Sequence, residues 1–196
     1  MKLFHSPASP YVRKVMATAI ICGLEQRITL VPTNPHASPP ELLAANPLSR
    51  IPCLVTEDGL ALYDSPVICE YLDSVGAGSL FPPAGPARWR ALKQQAIGDG
   101  IMDAAVGRRG EQGRPAEEAR SALMDRQASA VSRSLDQLEA EPPANHVDIG
   151  TLAVACALGY LDFRFAEEDW RRSHPKLAAW FATMSERAEL AQTTPR

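Results

Sequence analysis

The sequence predicts a small α/β domain followed by an all-helical domain. Three observations support this fold class. Strand and helix patterns alternate in residues 1–80, and the segment Leu80-Phe81-Pro82-Pro83-Ala84-Gly85-Pro86 is proline-rich, as expected of a linker. After Pro86, apolar residues recur only at helical spacing and no strand pattern returns. We therefore expect one domain at residues 1–80 and a second at residues 86–196.

The α/β domain begins with a predicted strand at Lys2–His5. Two prolines in Ser6-Pro7-Ala8-Ser9-Pro10 exclude a helix before Ser9, and from Tyr11 to Gly23 apolar residues recur at three- and four-residue steps. Ser9 is therefore the predicted N-cap of the first helix, with Pro10 in its first turn. The next predicted elements are a strand at residues 26–31, a loop at residues 33–40 and a helical turn at residues 41–45.

A β-hairpin is predicted around Asp58-Gly59, which separates the apolar runs Cys53-Leu54-Val55 and Leu60-Ala61-Leu62-Tyr63. Asp-Gly between two strands predicts a two-residue turn in which both central residues have positive φ. Pro52, at the start of the first run, indicates either an edge position or a cis Ile51–Pro52 bond. In both cases the N–H and C=O of Ile51 stay free to pair with a group outside the sheet.

The helix after the hairpin is predicted at Pro66–Ser74, with Ser65 as its N-cap. Free amides at a helix N-terminus attract a carboxylate, and the adjacent Asp64 attracts an ammonium group. These groups suit the α-carboxylate and α-amino ends of an amino acid. Together with the free backbone of Ile51, they favour a small peptide with a free amino-acid end as the ligand.

The second domain contains three long helical patterns. The first covers Trp89–Arg109, and the second is opened by Pro115 and carries the apolar stripe Met124, Ala128, Val131, Leu135 and Leu138. The third begins at Asp148, the predicted N-cap, with Thr151 at position N3. Its continuation, Leu152–Leu161, is almost wholly apolar and predicts a helix that is buried on all sides. We assign the aromatic residues Tyr160, Phe163 and Phe165 to the core.

Composition excludes several classes of function. A formal net charge of −3 without a basic stripe argues against a nucleic-acid partner. No apolar run is long enough to span a bilayer, and the N-terminus is too poor in apolar residues for a signal peptide, so we expect a cytoplasmic protein. The cysteines and histidines lack the spacing of metal ligands, so we expect no metal site. We expect free, buried thiols at Cys22, Cys53, Cys69 and Cys156.

The order strand–helix–strand, hairpin, helix is typical of a thioredoxin-like domain. Within it, Asn46-Pro47-Leu48-Ser49-Arg50-Ile51-Pro52, followed by Asp64-Ser65-Pro66-Val67-Ile68-Cys69-Glu70-Tyr71-Leu72, resembles the glutathione-binding half of glutathione transferases. The resemblance extends over essentially the whole chain. The pieces Gly98-Asp99-Gly100-Ile101-Met102-Asp103-Ala104 and Arg114-Pro115 resemble an uncharacterised bacterial subgroup of transferase-like proteins. Where the family usually caps its buried helix with Ser or Thr and has Asp at N3, this chain has Asp148 first and Thr151 later, and we expect the cap to form.

The resemblance implies a catalytic role for Ser9. Ala8-Ser9-Pro10-Tyr11 is similar to the Ser-Pro-Phe motif of serine-type transferases, in which the hydroxyl donates a hydrogen bond to the glutathione sulfur. A cysteine at this position would favour reductase chemistry through a mixed disulfide, whereas a hydroxyl favours conjugation, isomerisation or peroxide reduction. Ser9 as a plain N-cap is the alternative, and Ser6 is the competing hydroxyl.

The resemblance also assigns the remaining site residues. Proline 52 would be cis, and Ile51 before it would pair through its backbone with the cysteinyl unit of glutathione. Asp64 and Ser65 would hold the γ-glutamyl end. Arg50 and His36 would face the glycine carboxylate, with solvent exposure as an equally good reading of Arg50. Electrophile contacts are expected at Tyr11, Met102, Asp103 and Val106.

The resulting hypothesis is a cytoplasmic, homodimeric glutathione S-transferase of detoxification type. Glutathione would be its co-substrate, without a further cofactor, and a small hydrophobic electrophile would be its second substrate. Two alternatives stay open. One is a glutathione-dependent cis–trans isomerase of the zeta kind, and the other is a non-catalytic module that binds glutathione or another ligand.

Overall fold

The computed structural model describes residues 1–115 and 117–195. The chain forms two compact units. The first contains Met1–Arg88 together with the residues from Ala188 onward, and the second contains Trp89–Arg187. The linker segment belongs to the first unit, because Asp73 accepts hydrogen bonds from the amides of Leu80 (2.8 Å) and Phe81 (3.1 Å).

The first unit is built on a four-stranded sheet. Its elements in chain order are β1 (Lys2–His5), α1 (Pro10–Ile21), β2 (Thr29–Pro32), α2 (Pro40–Ala45), β3 (Cys53–Val55), β4 (Ala61–Leu62) and α3 (Ser65–Val75). The strand order is β2-β1-β3-β4. β1 is parallel to β2 and antiparallel to β3, and β3 is antiparallel to β4. This arrangement confirms the predicted thioredoxin-like domain.

Alternation along the strands divides the core of this unit between two faces of the sheet. Phe4 and Cys53 point to one face and pack with Leu42 of α2, and Ile51 and Tyr63 pack against this cluster. Leu3 and Leu54, which are register partners and fully buried, must point to the opposite face because side chains alternate along a strand. Helices α1 and α3 pack on each other, and α3 contacts β3.

Two predictions about the strands of this unit are wrong. Strand β2 begins at Thr29 rather than at residue 26, because Glu25–Arg27 forms a 3₁₀ turn. The hairpin loop has three residues instead of two. The amide of Thr56 donates to the carbonyl of Leu60 (2.9 Å), and Gly59 is the loop residue with positive φ (+88°). The buried hydroxyl of Thr56, which accepts from the Leu60 amide at 2.9 Å, stabilises this longer loop.

The second unit is all-helical in its described residues. It contains most of α4 (Pro86–Glu111), α5 (Glu118–Ala140), α6 (Ile149–Arg164), α7 (Trp170–Ser173) and α8 (Pro175–Ser185). Helix α5 begins at Glu118, so the prediction that Pro115 opens it is wrong. Asp148 caps α6 as predicted. Its carboxylate accepts from the Thr151 amide (2.9 Å), and the Thr151 hydroxyl accepts from the Asp148 amide (3.0 Å).

Helix α6 is the core of the second unit, since every residue from 149 to 161 is buried. Two glycines let α4 approach it closely. A Cβ on Gly98 would lie 2.6 Å from the carbonyl carbon of Ala153, and one on Gly150 would overlap the carbonyl oxygen of Ala91. The backbones of α4 and α6 are therefore in direct contact. Tyr160 and Phe165 are buried as expected, and Phe163 is half-buried.

Helix α9 (Ala188–Ala191) belongs to the first unit and packs on α1. Leu190 is fully buried, and its carbonyl accepts a hydrogen bond of 3.1 Å from the guanidinium of Arg13. The side chain of Arg13 is itself buried. This contact joins residues that are 177 positions apart in the sequence.

No single helix in the described part of the chain is long and apolar enough to cross a membrane. One bent pair, Ile149–Arg164 with Ala166–Ser173, reaches the required length and composition. The first helix of that pair is the buried core helix α6.

Candidate functional site

Ser9 stands at the N-terminus of α1, as the sequence predicts. Its hydroxyl oxygen accepts a hydrogen bond from the Val12 amide at 3.3 Å, which confirms its assignment as the N-cap. The side chain is half-buried, and the hydroxyl hydrogen has no acceptor among the described residues. Ser9 can therefore donate a hydrogen bond at the positive end of the α1 dipole.

Ile51 offers an unpaired stretch of backbone beside the sheet. The Ile51–Pro52 bond is cis, and Pro52 directly precedes the central strand β3. Within the described residues neither the amide nor the carbonyl of Ile51 forms a hydrogen bond. Its side chain packs against the cluster of Phe4, Leu42 and Cys53. The backbone of Ile51 is thus held in place while both of its polar groups stay available.

The loop before Ile51 is fixed by side-chain hydrogen bonds. The buried side chain of Asn46 donates to the carbonyl of Arg50 (2.9 Å) and accepts from the amide of Leu48 (3.0 Å). Ser49, which has a positive φ of 51°, donates to the carbonyl of Pro35 at 3.2 Å. These hydrogen bonds therefore fix the loop at Asn46, where it begins, and at Ser49, near its end.

Sequence reasoning gave no role to Asn46. A signal for it exists, because an Asn-Pro dipeptide is typical of a turn in which the Asn side chain accepts from the amide two residues later. The bond from the Leu48 amide to Asn46 has this geometry. The second bond, to the Arg50 carbonyl, depends on the folded loop and has no local signature.

The start of α3 differs by one residue from the prediction. Asp64, not Ser65, is the N-cap, and Ser65 is the first helical residue. The carboxylate of Asp64 makes no capping hydrogen bond and is exposed. The amides of Ser65 and Val67 have no acceptor among the described residues, and neither has the Ser65 hydroxyl. An exposed carboxylate therefore lies next to unpaired donors, as a bound amino-acid group requires. The Tyr63–Asp64 bond is cis.

Arg50 and His36 are both exposed, and no ion pair of either side chain occurs among the described residues. The loops that carry them are joined, since Ser49 bonds to the carbonyl of Pro35 (3.2 Å) and lies 3.0 Å from the hydroxyl of Ser38. Two cationic or polar side chains thus extend from a connected pair of loops into solvent.

The residues expected to contact an electrophile have very different exposure. Tyr11 on α1 and Val106 on α4 are half-buried, and Asp103 is exposed. Met102 is fully buried, so it has no surface to offer a second substrate in this structure.

The thiol of Cys53, which directly follows the cis proline, is shielded from solvent. Cys53 is fully buried, and burial raises the pKa of its thiol to about 11. Burial also lowers the pKa of His5, which ends β1 just before the Ser6–Ser9 segment. At neutral pH the His5 imidazole is therefore neutral and the Cys53 thiol is protonated. No group of three or more residues that could hold a metal ion occurs in the described parts of the chain.

Comparisons with known proteins point in one direction. Family models match the chain twice: that of the glutathione S-transferase N-terminal domain over residues 8–75, and that of the C-terminal domain over residues 121–183. The uncharacterized GST-like protein YibF of Escherichia coli (strain K12) is 36% identical over 203 residues, covering 100% of this chain and 98% of that protein.

Solved structures give the same answer. A glutathione transferase family member from Pseudomonas fluorescens Pf-5, with bound glutathione, has a TM-score of 0.93 and 45% identity and covers 100% of this chain and 98% of its own. A glutathione S-transferase from Methylobacillus flagellatus KT, with glutathione bound, has a TM-score of 0.90 and 34% identity, with 100% and 99% coverage.

Proposed function

Because this chain belongs to the glutathione S-transferase family, we propose that it is an enzyme that binds glutathione and adds its sulfur to a small hydrophobic electrophile. The observation that carries the proposal is the Ser9 hydroxyl, whose hydrogen has no acceptor among the described residues although it stands at a helix N-terminus. A donor in that position suits an anionic partner.

Glutathione would bind along the first unit through three sets of groups. The free amide and carbonyl of Ile51 would pair with the cysteinyl unit, as one strand pairs with another. The exposed carboxylate of Asp64 would hold the α-ammonium, and the donors of Ser65 would hold the α-carboxylate. Arg50 and His36 would face the carboxylate of the glycine end.

The Ser9 hydroxyl would stabilise the sulfur as a thiolate. A free thiol has a pKa of about 8.5, so only a small fraction is ionised at neutral pH. A hydrogen bond to the charged form, given at the positive end of a helix, lowers that pKa. Each unit of lowering corresponds to about 1.4 kcal/mol of preference for the thiolate.

The reaction itself needs no group beyond the thiolate and the electrophile. With a chloronitroarene, a sulfur lone pair forms the new C–S bond at the carbon that bears chlorine, and chloride leaves with the electrons of the C–Cl bond. The enzyme contributes the orientation of the sulfur and the stabilised anion. Tyr11 is the residue of the first unit that we propose to contact the electrophile.

The test is conjugation of glutathione to a chloronitroarene by wild type, Ser9→Ala and Ser6→Ala. A hydrogen bond to a charged group is worth about 1.5–3 kcal/mol, so Ser9→Ala should lower kcat/KM by about 10- to 100-fold. Its glutathione affinity, measured by calorimetry, should change little. Ser6→Ala is the matched control, since it removes a hydroxyl from the same segment, and it should keep its activity.

Other outcomes would identify a different function. Binding without turnover on a panel of electrophiles would identify a binding module. Turnover of a cis-configured acid without consumption of glutathione would identify an isomerase. Loss of activity in Ser6→Ala instead of Ser9→Ala would contradict the role given to Ser9.

We also propose that the protein is a homodimer. Several large apolar side chains are exposed on both units, among them Leu60 (54%) and Val67 (46%) in the first and Trp89 (69%) in the second. Tryptophan is enriched among the residues that contribute most of the binding energy at protein interfaces, so Trp89 is the side chain that we propose for the contact.

A further inference from the structure

We propose that Asn46 is a positioning residue that orients the amide of Ile51 toward the cysteinyl carbonyl of glutathione. The inference rests on the proposed function, because it concerns the same binding site. Asn46 does not touch the ligand in this proposal; it acts through the peptide group between Arg50 and Ile51.

Asn46 anchors the peptide plane between Arg50 and Ile51. The cis bonds of the described residues are Ile51–Pro52 and Tyr63–Asp64, so the bond between Arg50 and Ile51 is trans. In a trans peptide the C=O and the N–H point in opposite directions. Asn46 Nδ2 lies 2.9 Å from the Arg50 carbonyl oxygen and holds it. The Ile51 N–H is thereby directed away from Asn46.

Among the described residues, no other hydrogen bond is made to the peptide group between Arg50 and Ile51. The Ile51 amide forms no hydrogen bond among the described residues. On one side, the Ile51 side chain is held by the cluster of Phe4, Leu42 and Cys53. On the other side, the exposed residues Leu48 (61%) and Arg50 give the loop no apolar anchor. The bond from Asn46 is therefore the direct restraint on this peptide group, whereas the bonds of Ser49 to Pro35 and Ser38 hold the residue before Arg50.

Asn46 itself is buried. Its side chain is 1% exposed, and both of its polar atoms are used, by the Arg50 carbonyl and by the Leu48 amide. A buried amide with two satisfied bonds has one stable orientation, because rotating it would leave both partners unpaired. Asn46 is thus held in one orientation, and it fixes the direction of the Ile51 amide that we propose to bind the ligand.

Two variants separate the two bonds of Asn46. Asn46→Ala removes both bonds. Asn46→Asp keeps the oxygen that accepts from Leu48 but loses the donor to the Arg50 carbonyl. At neutral pH both should bind glutathione about tenfold more weakly than wild type, since about 1.4 kcal/mol, the net worth of one good hydrogen bond, is a factor of ten. The value of kcat at saturating glutathione should change less than about twofold, because Ser9 is not altered.

Low pH gives a rescue that a merely structural role would not produce. A buried carboxyl group has a raised pKa, and once protonated its O–H can donate to the Arg50 carbonyl. The affinity deficit of Asn46→Asp relative to wild type should therefore shrink between about pH 8 and about pH 5, while that of Asn46→Ala stays constant.

Two controls keep the outcomes distinct. Thr18→Val removes another buried side-chain hydrogen bond of the first unit, to Cys69 at 3.3 Å, and should lower stability without lowering glutathione affinity. In the ligand-free protein, the NMR signal of the Ile51 amide should shift in both Asn46 variants and not in Thr18→Val. This second readout tests the positioning without any ligand.

Different outcomes would contradict the proposed function and the positioning role of Asn46. If wild type fails to bind glutathione while the Ile51 signal still responds to Asn46, the proposed function is wrong and the positioning of the amide stands. If wild type binds glutathione and the Asn46 variants bind it equally well, or lose affinity only as much as Thr18→Val does, the positioning proposal is overturned.

Discussion

The four cysteines of this protein are all buried, and burial determines their chemistry. It raises the pKa of Cys22 to about 11, with a further contribution from the negative charge of Asp73, and it raises that of Cys53 to about 11. A thiol with such a pKa is almost wholly protonated at neutral pH and is a poor nucleophile. The serine at position 9 means that the protein offers no thiol of its own at the helix start.

We expect the native protein to be unreactive toward thiol reagents. Iodoacetamide and glutathione disulfide should modify the cysteines only after unfolding in urea, as measured by intact mass. The Ser9→Cys variant is the positive control. Its new thiol, half-exposed at the N-terminus of α1, should be labelled at once by iodoacetamide and should exchange with glutathione disulfide to form a mixed disulfide, with glutathione as the leaving thiol. Rapid labelling of the native wild type would contradict the expectation.

Some parts of the candidate site could be predicted from the sequence and others could not. Ser9 as N-cap follows from local chemistry, namely a hydroxyl before a Pro-led helix. The proline at a strand start indicates either an edge position or a cis bond, and the family resemblance implies the cis bond that the structure has. The bond between Asn46 and the Arg50 carbonyl needs the loop to be folded. The burial of Met102 depends on the packing of helices, which a helical pattern alone does not give.

The close contact of α4 and α6 depends on Gly98, which in the sequence is only a weak point of a long helix. A Cβ there would lie 2.6 Å and 2.8 Å from backbone atoms of Ala153 and Val154, and backbone cannot move aside as a side chain can. Gly100, two residues later, is exposed and has nothing within 4 Å of an added Cβ. On the same helix, Gly98 has no room for a side chain, whereas Gly100 has open space around it.

Gly98→Ala should destabilise the protein by about 1–3 kcal/mol, since it overpacks a backbone contact. Gly100→Ala should stabilise it by about 0.5–1 kcal/mol, because alanine is the better helix former at an open site. Urea unfolding followed by circular dichroism measures both. Equal and favourable shifts for the two variants would show that α4 and α6 are not in backbone contact.

The N-terminus of α8 is capped by a side chain from another helix. Glu139 of α5 accepts from the amides of Leu177 (2.8 Å) and Lys176 (3.2 Å), while the N-cap residue His174 makes no side-chain capping bond. Burial raises the pKa of Glu139, but these two hydrogen bonds and the charge of Lys176 outweigh it, so the pKa lies below its ordinary value. The ionised carboxylate is therefore the form that stabilises the fold.

The stabilising contribution of Glu139 should be present at neutral pH and lost in acid. Because the pKa is lower in the folded state, the contribution of Glu139 is complete above the pKa of the unfolded chain, about 4.3, and is lost as the pH falls through the lower folded value. Glu139→Gln should lower Tm at neutral pH and show a smaller further decrease in acid. Glu141→Gln, an exposed residue just beyond the same helix, is the control. Identical Tm–pH curves for the two variants would contradict the capping role.

The elements themselves were largely predictable, and the errors lie at their ends. The Asp-Gly pair predicts a hairpin loop of two residues, but the loop has three. The reason is that the Thr56 hydroxyl accepts the hydrogen bond of the Leu60 amide, a contact that the Asp-Gly pattern does not indicate. Asp64 rather than Ser65 caps α3, although both are good capping residues by type. Pro115 is an acceptable first helical residue, yet α5 begins at Glu118. In each case two local solutions were chemically similar and the fold selected one.

At the scale of the whole molecule, the predicted association can be tested by mass. Light scattering after gel filtration should give the mass of two chains for the wild type. Trp89→Glu should shift the protein toward one chain, because it places a charge on the most exposed of the large apolar side chains. Leu43→Glu, at a side chain of 43% exposure on α2, is the control and should remain a dimer. A wild type with the mass of one chain would contradict the homodimer.

The return of α9 to the first unit has a consequence for biosynthesis. A ribosome makes the sheet, α1 and all of the second unit before it makes Ala188–Ala191. Domains usually fold in the order in which they emerge, but here the nascent first unit still lacks the Leu190 side chain and the carbonyl that Arg13 needs. The first unit is therefore finished after the second, although its synthesis begins first.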